Sequence, residues 1–286
     1  MGIAFHVKDL CFKYPSSAKD TLKGITFDVH EGEIFGLLGP SGAGKSTLQK
    51  ILVKLLENYS GTIEYFGKNL KSLDHSFYEE IGVGFEMPVH FSKLTALENM
   101  KFFSQFYAKT ADIRDLMEKV GLWEYRDVKV GEFSKGMKVR LNFVRAMLNH
   151  PRVLFLDEVT NGLDPKNAKI IKDLIVEYRE SGGTVFLTTH LMNDVEQLCD
   201  RVAFCVNGRL MEISTPRDLK LKYGKREVKV EYRENGSVAG ARFPLDGIGF
   251  NEEFHQLLKT KEIETIHSGE TSMEEIFIHV TGVEPK

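Results

Sequence analysis

The sequence predicts an α/β fold: a mostly parallel sheet with helices on both faces, an antiparallel β layer beside it, a helical insertion and a small α+β appendage. Three observations carry this. An apolar run from Glu33 to Leu38 leads into a glycine-rich loop at Gly39–Thr47, and apolar residues then recur at helical spacing. From Arg152 to Val206, strand-like and helix-like segments alternate, as in parallel sheets whose crossover helices cover both faces. After about Tyr223 the pattern changes to charged–apolar alternation with a hairpin turn signal.

The totals bound the architecture. A chain of 286 residues holds one large domain and a small one. Apolar residues make up 42% and charged residues 28%, an ordinary globular balance. A net charge of −3 gives no electrostatic reason to expect a nucleic-acid binder. Cys11, Cys199 and Cys205 lack metal-ligand spacing and are expected to be reduced, part-buried thiols of a cytosolic protein. No apolar stretch is long enough to span a bilayer, and Met1-Gly2-Ile3 does not begin a signal peptide. Work at a membrane would therefore need spans from another chain.

The elements follow in order. Ala4 to Asp9 and Thr21 to Glu31 read as strands of the antiparallel layer. Glu33 to Leu38 reads as a buried strand, and Leu48, Ile51, Leu52, Leu55 and Leu56 mark the helix after the loop. Gly61 to Gly67 is a short strand ending in a turn. From about Leu94 to Leu148 the spacing of Leu97, Met100 and Phe103, then Leu116 and Val120, is helical. Strands follow at Arg152–Leu156, Thr184–Thr188 and Arg201–Val206, with helices at Pro165–Glu180 and Leu191–Leu198 between them. In the tail, Arg226 to Tyr232 alternates, Glu234-Asn235-Gly236 marks a turn, and Ser272 with Glu275 forms a capping-box pattern. The expected division is residues 1–221, with a helical subdomain at about 87–148, and an accessory region at 222–286.

The chemistry centres on Gly39-Pro40-Ser41-Gly42-Ala43-Gly44-Lys45-Ser46-Thr47, which has the form G-x-x-x-x-G-K-[ST]. A phosphate chain needs several inward-facing backbone N–H donors, and only glycine or small residues let the backbone approach that closely. Lys45 can reach the β- and γ-phosphates, the Ser46 hydroxyl can ligate Mg²⁺, and the helix N-terminus aims its positive end at the anion. A phosphate-loop NTPase core is thus expected. Val153 to Leu156 ends in Asp157 and Glu158, at the carboxyl end of a strand where ligands sit in such sheets. Asp157 can hold Mg²⁺ through water, and Glu158 can polarise an attacking water. Ser134 is a good N-cap, and Gly136 permits close approach to a ligand. Read alone, Phe133–Met137 is a helix start, and a lone His190 is more often structural than catalytic.

Together, in this order, these pieces resemble an ATP-binding cassette, the nucleotide-binding subunit of an ABC transporter, over roughly residues 4 to 220. The resemblance rests on Gly39–Thr47, the signature Phe133–Met137, Val153–Glu158, Asn161-Gly162-Leu163-Asp164, and His190. It implies ATP as substrate, Mg²⁺ as cofactor, and a head-to-tail dimer with a second copy or a related cassette, enclosing two ATP molecules. It also implies a separate transmembrane permease, and so a cytoplasmic protein held peripherally at the inner face of the cell membrane. By position, Tyr14 would stack on adenine, Glu158 would be the general base, and His190 would contact the γ-phosphate and water. Ser134 and Gly136 would meet the partner's γ-phosphate, and Asp164 would lie at the dimer seam.

Two positions depart from the family pattern. The usual signature L-S-G-G-Q is Phe133-Ser134-Lys135-Gly136-Met137, a variant that resembles the exporter branch with ABC-2-type membrane partners. Lys135 is expected to add positive charge near the partner's phosphates. Glu86 stands where a Gln usually links Mg²⁺ to the membrane subunit. A carboxylate can ligate Mg²⁺ but cannot donate a hydrogen bond as Gln does. The segment from Glu86 through Phe91 to Phe106 matches the region that docks a helix of the membrane partner; most of its aromatics are expected to fill the helical core instead, and the cleft near Glu86 to Phe91 is the better docking candidate. A soluble cassette ATPase acting on DNA or ribosomes is the rival reading. A single cassette with no long heptad run argues against it. Intact Lys45, Asp157, Glu158 and His190 argue against a non-hydrolysing switch.

Overall fold

The structure is a computed structural model that describes residues 2–87, 89–224, 227–234, 236–269 and 271–284. The chain divides into two units, one ending at Thr215 and one spanning Pro216–Glu284. The first unit begins with β1 (Ile3–Phe12), β2 (Leu22–His30), β3 (Ile34–Leu38), α1 (Lys45–Leu52), β4 (Ser60–Tyr65) and β5 (Lys68–Asn69). Next come α2 (Phe77–Glu80), β6 (Ile81–Gly84), α3 (Ala96–Ser104), α4 (Ile113–Lys119), α5 (Lys135–Ala146) and β7 (Val153–Asp157). It closes with α6 (Pro165–Glu180), β8 (Thr184–Thr189), α7 (Met192–Leu198), β9 (Arg201–Val206) and β10 (Arg209–Ser214).

Two sheets form its frame. The antiparallel one runs β2-β1-β4-β5, and the six-stranded one runs β10-β9-β3-β8-β7-β6. In the larger sheet only β10 is antiparallel. Every residue of β3, β7 and β8 is buried, as expected of parallel strands covered on both faces. Phenylalanines join the two sheets: Phe27 stacks on Phe35 at 5.3 Å, and Phe5 meets Phe155 edge-on at 5.6 Å. Phe186 lies against Phe35 and Phe155. Truncating a core Phe to Ala leaves a cavity costing about 3–5 kcal/mol, so these rings set the spacing of the sheets.

The topology positions the site. Strand β8 lies between β3 and β7, with Leu38 beside Thr189 and Asp157 beside Thr188. The carboxyl ends of three strands therefore meet side by side. They carry Gly39–Thr47, Asp157–Glu158 and His190 respectively.

The second unit contains α8 (Pro216–Tyr223), β11 (Glu227–Glu234), β12 (Ser237–Pro244), α9 (Glu252–Thr260), β13 (Glu262–Gly269) and α10 (Met273–Thr281). Its antiparallel sheet, β12-β11-β13, buries Val228, Val230 and Phe243 against Phe254, Leu257 and Leu258 of α9. The Ser272–Glu275 capping box forms in both directions at the start of α10. Arg226 and Asn235, part of the expected strand and turn, lie outside the described residues. The expected division at residue 221 falls inside α8.

Several elements differ from the sequence reading. Helix α1 stops at Leu52 instead of reaching Leu56, and Leu55 is exposed. The chain reverses there: Lys54 adopts φ 58°, and the Leu55 and Leu56 amides both donate to the Lys50 carbonyl. The helix after Ser134 begins at Lys135, so Gly136 and Met137 lie within its first turn. Strand β6 gave no periodic signal because it is four residues with two glycines. Its Gly82 is required by packing, since a Cβ there would sit 1.9 Å from the Ala146 carbonyl of α5. Strand β10 and helices α8 and α9 were also not anticipated.

Candidate nucleotide site

The loop after β3 is shaped by two glycines. A Cβ on Gly39 would lie 2.1 Å from the Cys205 carbonyl of β9. Gly44 has φ 108°, a left-handed conformation that costs glycine little, and it turns the chain into α1. Lys45, the first residue of α1, is buried, and its Nζ donates to the carbonyls of Gly39 at 2.6 Å and Pro40 at 3.2 Å. The ammonium is thereby held inside the curl of the loop.

A cavity of about 520 Å³ opens over this loop. Ser41, Gly42, Ala43, Gly44, Lys45, Ser46 and Thr47 line it, together with Glu86, Glu158 and His190. Thr21 and Asn161 also line it, and sequence reasoning missed them as wall residues. Asn161 opens the motif Asn161–Asp164, a position that could have found it, whereas Thr21 belongs to none of the motifs. Tyr14 stands next to the loop, its hydroxyl 3.2 Å from Thr47 Oγ1 and its ring edge-on to Phe12.

The two acids play different parts. Asp157 ends β7, is buried, and accepts a hydrogen bond from the Thr188 hydroxyl of β8. It is not among the cavity-lining residues. Glu158 has φ 52°, which carries it out of strand geometry and towards the cavity. Its Oε1 lies 2.8 Å from His190 Nδ1, while its Oε2 is buried without a hydrogen-bond partner among the described residues. Burial raises the Glu158 pKa, and the hydrogen bond and charge of His190 and the charge of Lys45 pull it back down. A carboxylate of raised pKa, with one oxygen anchored and the other free, is suited to accepting a proton.

The donor set suits a hard cation. Ser46 and Glu86 offer oxygens on the wall, and Asp157 lies at the adjacent strand end. Among the described residues, no three His, Cys, Asp or Glu side chains gather into a metal cage.

Ser134, Gly136 and Asp164 are not brought to this cavity. Ser134 caps α5 by accepting from the Met137 amide, and Asp164 caps α6 by accepting from the Asn167 amide. Gly136 packs near Leu163, and the Lys135 side chain lies over Gly162, where a Cβ would be 2.8 Å from Nζ. Lys135 thus rests against its own chain. The segment Phe133–Met137 packs against the turn Asn161–Asp164.

A family model described as "ABC transporter" matches residues 22–161. The fluoroquinolones export ATP-binding protein Rv2688c of Mycobacterium tuberculosis is 48% identical over 96% of this chain and 92% of its own length. The chain belongs to the ABC transporter ATP-binding family. The bacitracin transport ATP-binding protein BcrA of Bacillus licheniformis is 36% identical over 74% of this chain and 70% of its own length. A solved "ATP binding subunit of ABC transporter" superposes with a TM-score of 0.70 at 29% identity, covering 77% of this chain and 93% of that one. A second model, described as "Fluoroquinolone efflux ABC transporter C-terminal domain", matches residues 226–270 of the accessory unit. The cassette is an ATPase subunit with the phosphate-loop α/β fold. Among its described residues no helix is long and apolar enough to cross a membrane.

Proposed function

We propose that this cassette hydrolyses ATP to drive an exporter, with Glu158 as the general base. The observation that carries this is the Glu158–His190 pair, set in the same cavity as Lys45 and Ser46, with Glu158 Oε2 unpartnered. As water attacks the γ-phosphorus, Glu158 accepts its proton, the bond to the β–γ bridging oxygen breaks, and ADP leaves. His190 holds Oε1 so that Oε2 faces the water. Lys45 and the loop amides bind the phosphates, and Tyr14, beside Thr47, takes the adenine. Ser46, Asp157 and Glu86 would hold Mg²⁺, which would neutralise phosphate charge when bound.

Ser134, Gly136 and Asp164 supply the other half of the site to a second copy in a head-to-tail dimer. Their absence from the lining of the cavity, with Ser134 and Asp164 engaged as helix caps, supports this. The permease docks at the outer end of the Glu86 loop. There Met87 and Val89 are 79% and 74% exposed, and Phe91, Phe102, Phe103 and Phe106 form one ring cluster. Docked there, the chain would lie at the inner face of the cell membrane. The match of the accessory unit supports a place among fluoroquinolone exporters.

The test is Glu158→Gln. It should lower ATPase turnover by about 10²–10⁴-fold, the usual worth of a general base, while ATP still binds and traps a dimer seen by size exclusion. Wild-type turnover in this variant would remove Glu158 from the role.

A further inference from the structure

The Glu86 loop connects two places that matter: Glu86 lines the nucleotide cavity, and Val89 and Phe91 lie at the exposed aromatic cluster. Helix α5 reaches the loop on both sides of Glu86. Asn142 Nδ2 donates to the Phe85 carbonyl at 2.9 Å, and Arg145 donates through one terminal nitrogen to the Val89 carbonyl at 2.6 Å. The other terminal nitrogen of Arg145 donates to Asn142 Oδ1 at 2.7 Å, joining the two anchors. The guanidinium also sits 5.0 Å from the centre of the Phe103 ring, which stacks on Phe91 at 5.8 Å. From α3, Asn99 holds both the amide and the carbonyl of Phe91.

Arg145 makes no ion pair with a carboxylate among the described residues, and burial lowers its pKa. A partly buried cation held by one backbone carbonyl, one side-chain amide and a ring face is costly, and an apolar side chain would pack the site more cheaply. What the guanidinium adds is its fork: two donors at fixed geometry that reach the loop and Asn142 at once. The helix carrying it is capped by Ser134, eleven residues and about 16 Å away along the axis. One rigid helix therefore has the signature serine at one end and the Glu86 loop bolted to the other.

We propose that Arg145 is a positioning residue that makes the Glu86 loop, the aromatic cluster and the Ser134 end of α5 move as one body, so that nucleotide binding is felt at the docking surface. This rests on the nucleotide-binding and docking reading above. Arg145 does not line the nucleotide cavity, so it acts through the loop backbone and not on the substrate.

The experiment is hydrogen exchange of the backbone amides of Val89, His90 and Phe91 in the full chain, with and without a non-hydrolysable ATP analogue. Wild type, Arg145→Met and Arg145→Lys are compared, with ATP affinity and ATPase measured in parallel. The wild type should show nucleotide-dependent slowing of about tenfold at these amides. In both variants the nucleotide-dependent difference should fall below about twofold, with ATP affinity and basal ATPase within about twofold of wild type. Lysine keeps the charge but not the fork, so it should not rescue. A variant that is merely less stable would exchange faster in both states and keep the nucleotide-dependent ratio. That result in either variant overturns the proposal, and Arg145→Lys alone decides it if Arg145→Met does not fold. If the wild type binds ATP but shows no response at these amides, this proposal falls and the ATPase reading stands. If the wild type does not bind ATP, both fall.

Discussion

Two halves of the proposed ATP site sit in the same unit and are built differently. At the loop half, charged groups are buried and tied in place: Lys45 inside its loop, Asp157 on Thr188, and Glu158 on His190. At the signature half, Ser134 and Asp164 have their side chains engaged as helix caps and do not line the cavity. The first half is preorganised to hold a polyphosphate, with its donors and base already oriented. The second presents a helix N-terminus, that of α5, whose free amides attract an anion. The contrast fits the proposed head-to-tail dimer, in which the loop half of one copy would meet the signature half of the other.

The largest effect that could break this comparison comes from mixing two defective chains. Lys45→Ala removes a charge-assisted phosphate contact worth about 1.5–3 kcal/mol, roughly ten- to a hundredfold in ATP affinity. Ser134→Ala removes the other half. Each variant alone should be nearly inactive, but a mixture should regain part of the wild-type ATPase, because mixed head-to-tail dimers contain one intact site. A mixture as inactive as its components would place both halves in one chain.

A smaller effect sharpens the loop half. Glu158 must be ionised to take a proton, and burial raises its pKa. ATPase activity should therefore fall on acidification at a pH above the usual carboxylate range. His190 pulls that pKa down, so His190→Gln should move the acid limb to higher pH as well as slowing turnover. A pH–rate profile unchanged in position would show that His190 does not act on Glu158.

The smallest effect concerns Glu86. Glu86→Gln removes a charge from the cavity wall while keeping the size of the side chain, and it should shift the Mg²⁺ concentration for half-maximal ATPase by up to about tenfold. An unchanged Mg²⁺ dependence would take Glu86 out of metal coupling.

Much of this was legible in the sequence because it is local. The strand–loop–helix at Gly39–Thr47, the acids at the end of β7, the helix Pro165–Glu180 and the capping box at Ser272 each depend on residues a few positions apart. What was not legible depends on distant partners. Strand β6 is a strand because β7 pairs with it and α5 packs on its glycines. Helix α1 ends early because Lys50 collects two amides in a reverse turn, although the leucine spacing continues. The accessory unit showed only its hairpin and last helix, since α9 is defined by the sheet it covers.

By itself the sequence determined which residues can bind phosphate and accept a proton, because glycine spacing and strand-end carboxylates encode local backbone geometry. Only the tertiary structure decided how they are used. Strand order brings Glu158 to His190 and Asp157 to Thr188, more than thirty residues apart in sequence. Helix α5 carries Arg145 to a loop 56 positions away. Side-chain hydrogen bonds across such separations follow from sheet order and helix packing, which no local spacing records.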